Sequence, residues 1–149
     1  SKVKMDRLTV SRVSQAMAQL MPRIIQGIQL DFFLRRRVTQ TQLLVLIAIR
    51  GHGRCTMGML ARNLHVSMPT ASGVVDRLVR AGYARRLPHP ADRRQVVVEL
   101  TGQGQEFIRQ FQAVIRHRWS EVLRTLGPRE LEAFHGVITK LREQLAPDG

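Results

Sequence analysis

The residues best suited to chemistry are Ser67, Met68, Pro69, Thr70, Ser72, Gly73 and Arg77, followed by the trio Asp92, Arg93 and Arg94. Ser67 can accept a hydrogen bond from an amide two or three residues on, and so can start a helix. Pro69 suits a first helical turn, where its missing N–H costs nothing. Within that helix Ala71, Val74, Val75 and Leu78 keep an i, i+3, i+4, i+7 spacing, which marks one buried face. Gly82 ends it. The opposite face carries Met68, Thr70, Ser72, Gly73, Asp76, Arg77 and Arg80. A helix of this kind can enter a nucleic-acid groove end-first. Its amides and hydroxyls then meet phosphates and base edges, while guanidiniums flank them on the backbone. A surface helix that is merely basic has the same composition, so its neighbours must decide. Arg77 in particular is either a phosphate clamp or the partner of Asp76 or another acid.

The elements that position this helix read as follows. Residues 7–33 carry a long helical pattern with apolar Val13, Met17, Leu20, Met21, Ile24, Ile25 and Ile28, and Pro22 predicts a kink or break. Residues 1–6 read as a loose start. Arg35, Arg36 and Arg37 read as a solvated, basic helix end. Thr39 and Gln42 form a capping-box pattern for a helix that is apolar nearly all round and belongs in the core. Arg54 and Cys55 suggest a very short strand. Thr56 caps a short helix over 57–64, and a tight turn at His65 and Val66 leads into the basic helix, which makes a helix-turn-helix. Residues 83–87 and 95–100 read as two strands joined by a Pro-rich loop containing Asp92, Arg93 and Arg94. A hairpin in that place is a wing with a basic tip. Thr101 then caps a long helix, Gly127 and Pro128 break it, and Leu131, Phe134, Ile138, Leu141 and Leu145 recur at coiled-coil-like spacing in the last helix.

Charge agrees with this organisation. The 149 residues fit one domain, or one domain with appended helices. The net charge is +13, and 21 of the 24 basic residues are arginine. The excess is +7 in residues 1–50, +5 in 51–100 and +1 in 101–149, so it gathers around the basic helix. A polyanionic partner follows, and arginine suits bidentate phosphate and guanine contacts; charge alone fits an acidic membrane surface equally well. The longest uncharged apolar run, 38–49, is too short to cross a bilayer, and no signal peptide is evident. With one cysteine, Cys55, no intrachain disulfide forms, and a cytoplasmic location is the expectation.

Other chemistry lacks parts. No nucleophile elbow, phosphate-binding glycine loop or metal signature is present, so no enzymatic activity is expected. His52, His65, His89, His117 and His135 are scattered, with no pair at ligand spacing within one helix, and neither metal nor cofactor is expected. Cys55 reads as a buried, inert thiol rather than a redox sensor, which would need a lowered pKa and access.

The sequence resembles the MarR family of transcriptional regulators. The likeness runs from Thr39-Gln40-Thr41-Gln42 through 56–61, 66–72, 75–78 and 81–83 to Asp92-Arg93-Arg94 and Leu100-Thr101-Gly102-Gln103-Gly104, about two thirds of the chain. The resemblance implies a mainly α fold with a small β-hairpin wing. Residues 7–36 would form an N-terminal dimerisation helix, 37–100 a winged helix-turn-helix and 101–146 C-terminal dimerisation helices. It implies a homodimer on pseudo-palindromic double-stranded DNA, usually a repressor, released in many members by a small aromatic or other effector. Arg94, steadied by Asp92, matches the family's minor-groove wing arginine. Met21, Phe32 and Phe33 lie where the family holds effectors, although packing explains each of them more simply. Gly73 departs from the family, which often carries a long base-reading side chain there; Met59 departs where an acid is common. An architectural DNA binder without sequence preference is the alternative, to be told apart by steep salt dependence and weak sequence discrimination. A protein-interaction module that keeps the winged helix as scaffold is a third reading.

Overall fold

Hydroxyl caps set the start of four helices in the core of this chain. The computed structural model describes residues 2–26, 28 and 30–145. Its elements are α1 (Lys2–Gln26), α2 (Leu30–Arg36), α3 (Gln40–His52), β1 (Cys55–Thr56), α4 (Met57–Asn63), α5 (Met68–Arg80), β2 (Ala84–Pro88), β3 (Val96–Leu100), α6 (Gly102–Leu123) and α7 (Pro128–Gln144). Thr39, Thr56, Ser67 and Thr101 each accept from the amide three residues on, at 3.1–3.2 Å. Gln42 returns a bond to the Thr39 amide at 2.9 Å and completes the capping box. The strands form one antiparallel sheet in the order β1-β3-β2. Cys55 faces Val98, and Ala84 faces Leu100. The expected short strand is present, shifted by one residue to Cys55–Thr56.

The apolar stripe of α5 is buried as its spacing requires: Ala71, Val74, Val75 and Leu78 all face inward. Val74, Val75 and Leu78 join Leu46 and Ile49 of α3, Leu60 of α4, Val98 of β3 and Ile108 of α6 in one core. α3 is not buried all round, however. Leu43, Val45, Leu46 and Ile49 are inside, but Leu44 and Ile47 are 53% and 45% exposed. Among the described residues, Leu44 and Ile47 have no layer that covers them.

Two expectations for the N-terminal region are corrected. α1 begins at Lys2, and passes through Pro22 to Gln26 before α2 opens at Leu30. Proline removes one donor from the ladder, yet the helix runs on for four residues beyond Pro22 to Gln26. The second correction concerns Arg36, which is not a solvated cation. Its guanidinium lies 3.9 Å above the Phe32 ring and donates to Gln110 Oε1 at 2.7 and 3.0 Å and to the Phe32 carbonyl at 3.1 Å. The Tyr83 hydroxyl donates to the Arg36 carbonyl at 3.2 Å. Arginine stacks readily on aromatic faces, so a residue read as surface charge instead ties α2 to α6.

Gly104 lies directly under the Tyr83 carbonyl, and a Cβ built there would overlap that oxygen. Because the obstacle is backbone, it cannot rotate away. Gly104→Ala should therefore destabilise the chain by about 2 kcal/mol or more, seen as a lowered urea midpoint; an unchanged midpoint would show that α6 can slide freely on the sheet.

The terminal helices are built differently. α7 buries no residue within the chain. Val137, Ile138 and Leu141 on α7, and Val13, Met17 and Ile25 on α1, are exposed apolar residues.

Candidate nucleic-acid interface

α5 presents its N-terminal end outward. Ser67 Oγ accepts from the Thr70 amide at 3.2 Å and donates to Thr70 Oγ1 at 2.9 Å, which caps the tip from within the chain. Met68, Pro69 and Thr70 are exposed there, Ser72 and Gly73 are half-buried, and Arg77 and Arg80 are exposed further along. A Cβ at Gly73 would meet nothing within 4 Å. Space does not demand glycine at that position.

The wing tip is held by backbone bonds that leave its arginines outside. The His89 amide donates to the Gln95 carbonyl, and the Gln95 amide to the Asp92 carbonyl, both at 3.0 Å. His89 Nδ1 accepts from the Ala91 and Asp92 amides at 3.1 and 3.2 Å, which assigns its ring proton to Nε2. Asp92 Oδ1 accepts from the Arg94 amide at 3.0 Å. Asp92 thus steadies the Arg94 backbone rather than its guanidinium. Arg93 and Arg94 are both exposed. Arg94 shares a groove of about 400 Å³ with Met68, Thr56 and Gln95. The end of α5 and the basic wing therefore open onto one surface.

Asp76 is already engaged, and not by Arg77. Its carboxylate pairs with Arg86 of β2, which also donates to Ser72 Oγ at 3.3 Å and the Ser72 carbonyl at 3.5 Å. Arg86 fastens the wing's first strand to α5. Sequence reading missed it, because the pair spans ten residues and exists only once β2 has packed on α5. Arg77 is exposed and makes no ion pair or side-chain hydrogen bond among the described residues.

The remaining candidates fall elsewhere. Phe32 is buried against Phe33, Phe107 and Phe111, with ring centroids 5.4–6.1 Å apart. Phe33 is half-buried and Met21 exposed. Cys55 is 1% exposed, and its Sγ lies 3.8 Å from the Val98 carbonyl. Burial pushes this thiol up to about 11. A thiol titrating so high carries about a hundredfold less thiolate than an ordinary cysteine in mild alkali. An aromatic disulfide reagent should therefore label it at least that much more slowly in the folded protein than in denaturant; equal rates would place Cys55 in an accessible site. Among the described residues no group of three or more His, Cys, Asp or Glu could hold a metal ion. No described helix is long and apolar enough to cross a membrane.

Comparison with known proteins agrees with this geometry. Residues 38–96, from the start of α3 to the wing, match the sequence model of the MarR family. Over that segment the chain is similar to the MarR family. Among its relatives is the HTH-type transcriptional repressor NicR of Pseudomonas putida, 37% identical over 68 residues, which are 46% of this chain and 43% of NicR. The aligned regions cover between 43% and 68% of the curated relatives' own lengths. The fold match is more extensive. RV1404 from Mycobacterium tuberculosis superposes with a TM-score of 0.78 at 25% identity, covering 94% of this chain and 97% of that one. A mutant of MepR from S. aureus, solved bound to an oligodeoxyribonucleotide, shares the fold, with a TM-score of 0.66 at 20% identity over 89% of this chain and 97% of its own. The shared fold thus extends beyond the segment that matches in sequence and takes in the helices that follow the wing.

Proposed function

We propose that this chain is a MarR-type regulator, two copies of which grip an inverted-repeat duplex and repress transcription from it, inside the cytoplasm where that duplex lies. The observation that carries the reading is the shared surface of Met68 and Arg94, which joins the capped tip of α5 to the wing. In it α5 enters the major groove, where Ser67, Met68, Pro69, Thr70, Ser72 and Gly73 approach phosphates and base edges, and Arg77 clamps the backbone. Arg93 and Arg94 reach the adjacent minor groove, on a wing steadied by Asp92. Residues 37–100 form the reading head, while 7–36 and 101–146 join the two copies. Two heads about 34 Å apart then meet successive turns of one duplex face.

Release by a small aromatic effector extends the same reading. Phe32 and Phe33 are packed within the chain, so a ligand beside them and Met21 needs walls contributed by the second copy. The test of the whole reading is recovery of genomic fragments on purified protein at physiological salt, followed by sequencing. An enriched inverted repeat is expected. Uniform recovery would overturn sequence-specific regulation in favour of architectural binding, a reading to which the open space at Gly73 lends some weight.

A further inference from the structure

A cluster of four arginines, Arg50, Arg54, Arg85 and Arg109, lines a cavity apart from the groove shared by Met68 and Arg94. Arg86 reaches from β2 to α5, so its strand neighbour Arg85 points to the opposite face of the sheet. There Arg85 donates to Glu99 Oε1 at 2.6 Å, and Arg54 donates to Glu99 Oε2 at 2.7 Å. Each guanidinium takes one oxygen of a single carboxylate. Across from this row, on α6, Arg109 pairs with Glu106. Arg50, from the last turn of α3, makes no ion pair or side-chain hydrogen bond among the described residues. All six side chains line one cavity of about 630 Å³, within the range of about 300–1,000 Å³ typical of small-molecule sites.

The charges in it do not balance. Arg54 and Arg85 hold Glu99 below the usual carboxylate range, and Arg109 with Gln110 holds Glu106 at about 2. Both acids stay ionised at neutral pH, and four guanidiniums against two carboxylates leave an excess of +2. Arg54, Arg85 and Arg109 are each more than half exposed, while Glu99 is 13% exposed. The Glu99 carboxylate therefore sits at the floor, and the more exposed guanidiniums stand at the rim with N–H donors left over for a second anion. A duplex cannot fill a cavity with two carboxylates in its wall and recognition elements on the other face of the sheet.

We propose that this cavity binds a small dianion, a dicarboxylate or a phosphomonoester, between Arg50, Arg54, Arg85 and Arg109. Guanidinium forks match both anion types, and Glu99 already shows how two of these arginines hold carboxylate oxygens. The bound dianion shares Arg54 and Arg85 with Glu99 and draws Arg50 in. Occupation is also felt beyond the cavity, because Glu106 accepts from Gln110 at 3.0 Å and Gln110 accepts from Arg36. That chain of contacts ends on the aromatic cluster at the base of α2. The proposal stands apart from the DNA-binding reading, since it concerns direct binding of a small anion.

The experiment is calorimetric titration of the full chain with inorganic phosphate and, separately, with succinate, near neutral pH and at ionic strength held constant with sodium chloride. A saturable heat at one site per chain is expected for at least one of them. Phosphate alone would identify a phosphoryl ligand, and succinate alone a dicarboxylate. Arg50→Ala combined with Arg109→Ala should weaken that binding by about tenfold or more. Glu99→Gln, which removes the competing carboxylate with little change of shape, should tighten it several-fold. Opposite signs from the two changes are the signature, and a general loss of folding cannot produce them. Absence of saturable heat for both anions, or equal affinity in all variants, overturns the proposal. So does an outcome in which neither anion binds and the arginine variants weaken only duplex binding.

Discussion

Arg94→Ala should weaken binding to a specific duplex by about a hundredfold while leaving the free protein's oligomeric mass and unfolding midpoint unchanged. The second half of this expectation follows from how the wing is made. Its tip is closed by His89, Asp92 and Gln95 through backbone amides and carbonyls. The Arg94 guanidinium takes no part, so its loss leaves the tip standing. The first half follows from magnitude. A hydrogen bond involving a charged group contributes about 1.5–3 kcal/mol, or at the low end about tenfold in affinity. A symmetric dimer presents two wings, and sites so far apart add nearly independently. Each lost cationic contact should also lower the slope of log affinity against log salt by about one, hence by about two for the pair. Filter binding or anisotropy across a salt series reads both quantities. An unchanged affinity at low and high salt alike would remove the wing from recognition. Asp92→Ala offers a contrast, because it frees the Arg94 amide and keeps the arginine's charge. It should weaken specific binding with little change in the salt slope.

The parts of this molecule legible in its sequence are those fixed within three or four residues. Thr39, Thr56, Ser67 and Thr101 announce helix starts because each hydroxyl serves an amide three positions on. The stripe Ala71, Val74, Val75 and Leu78 announces a buried face because helical period alone brings those residues together. The loop that carries Asp92, Arg93 and Arg94 is legible from its prolines, and the Asp92–Arg94 link that the resemblance implies spans only two residues. What escaped depends on neighbours distant in the chain. Nothing near Arg86 says that it will hold Asp76, and the acid looked as available to Arg77. Arg36 reads as one of three surface cations until α6 brings Gln110 beside it. α3 reads as a core helix, but whether its second side is covered depends on layers that its own residues do not specify. Pro22 lies inside α1, which ends four residues later at Gln26: a lost donor weakens a helix without dictating the residue at which it stops.

The opposed expectation concerns the helices rather than the reading head. Ile138→Glu with Leu141→Glu should convert the protein to a monomer at micromolar concentration and reduce specific duplex binding to its non-specific level, a loss of about a thousandfold or more. α7 has 17 residues and buries none of them within its own chain. A helix of that length gains little from its backbone alone and draws its stability from packing an apolar face. Leu131, Ile138 and Leu141 supply such a face, and Val13 and Met17 of α1 supply another. Covering each large aliphatic side chain contributes about 1.5–3 kcal/mol, so a few from each copy suffice to hold a dimer together. The interface of a two-fold dimer uses the same patch twice. Two substitutions therefore place four carboxylates in it, each facing the cost of desolvation without a partner. The core around Leu46, Leu78 and Val98 lies elsewhere, so the winged helix should stay folded, with α5 amides still protected from hydrogen exchange. Sedimentation of the variant, with and without a two-half-site duplex, measures the effect directly. A variant that remains dimeric would mean that the copies meet through other surfaces, with the exposed Leu44 and Ile47 of α3 the first to examine. A monomer that still bound the duplex at full affinity would separate recognition from dimerisation altogether. On the proposed reading, selectivity comes from pairing, because a single α5 and wing would meet only one half-site, whereas two of them held at one helical turn would add their binding free energies.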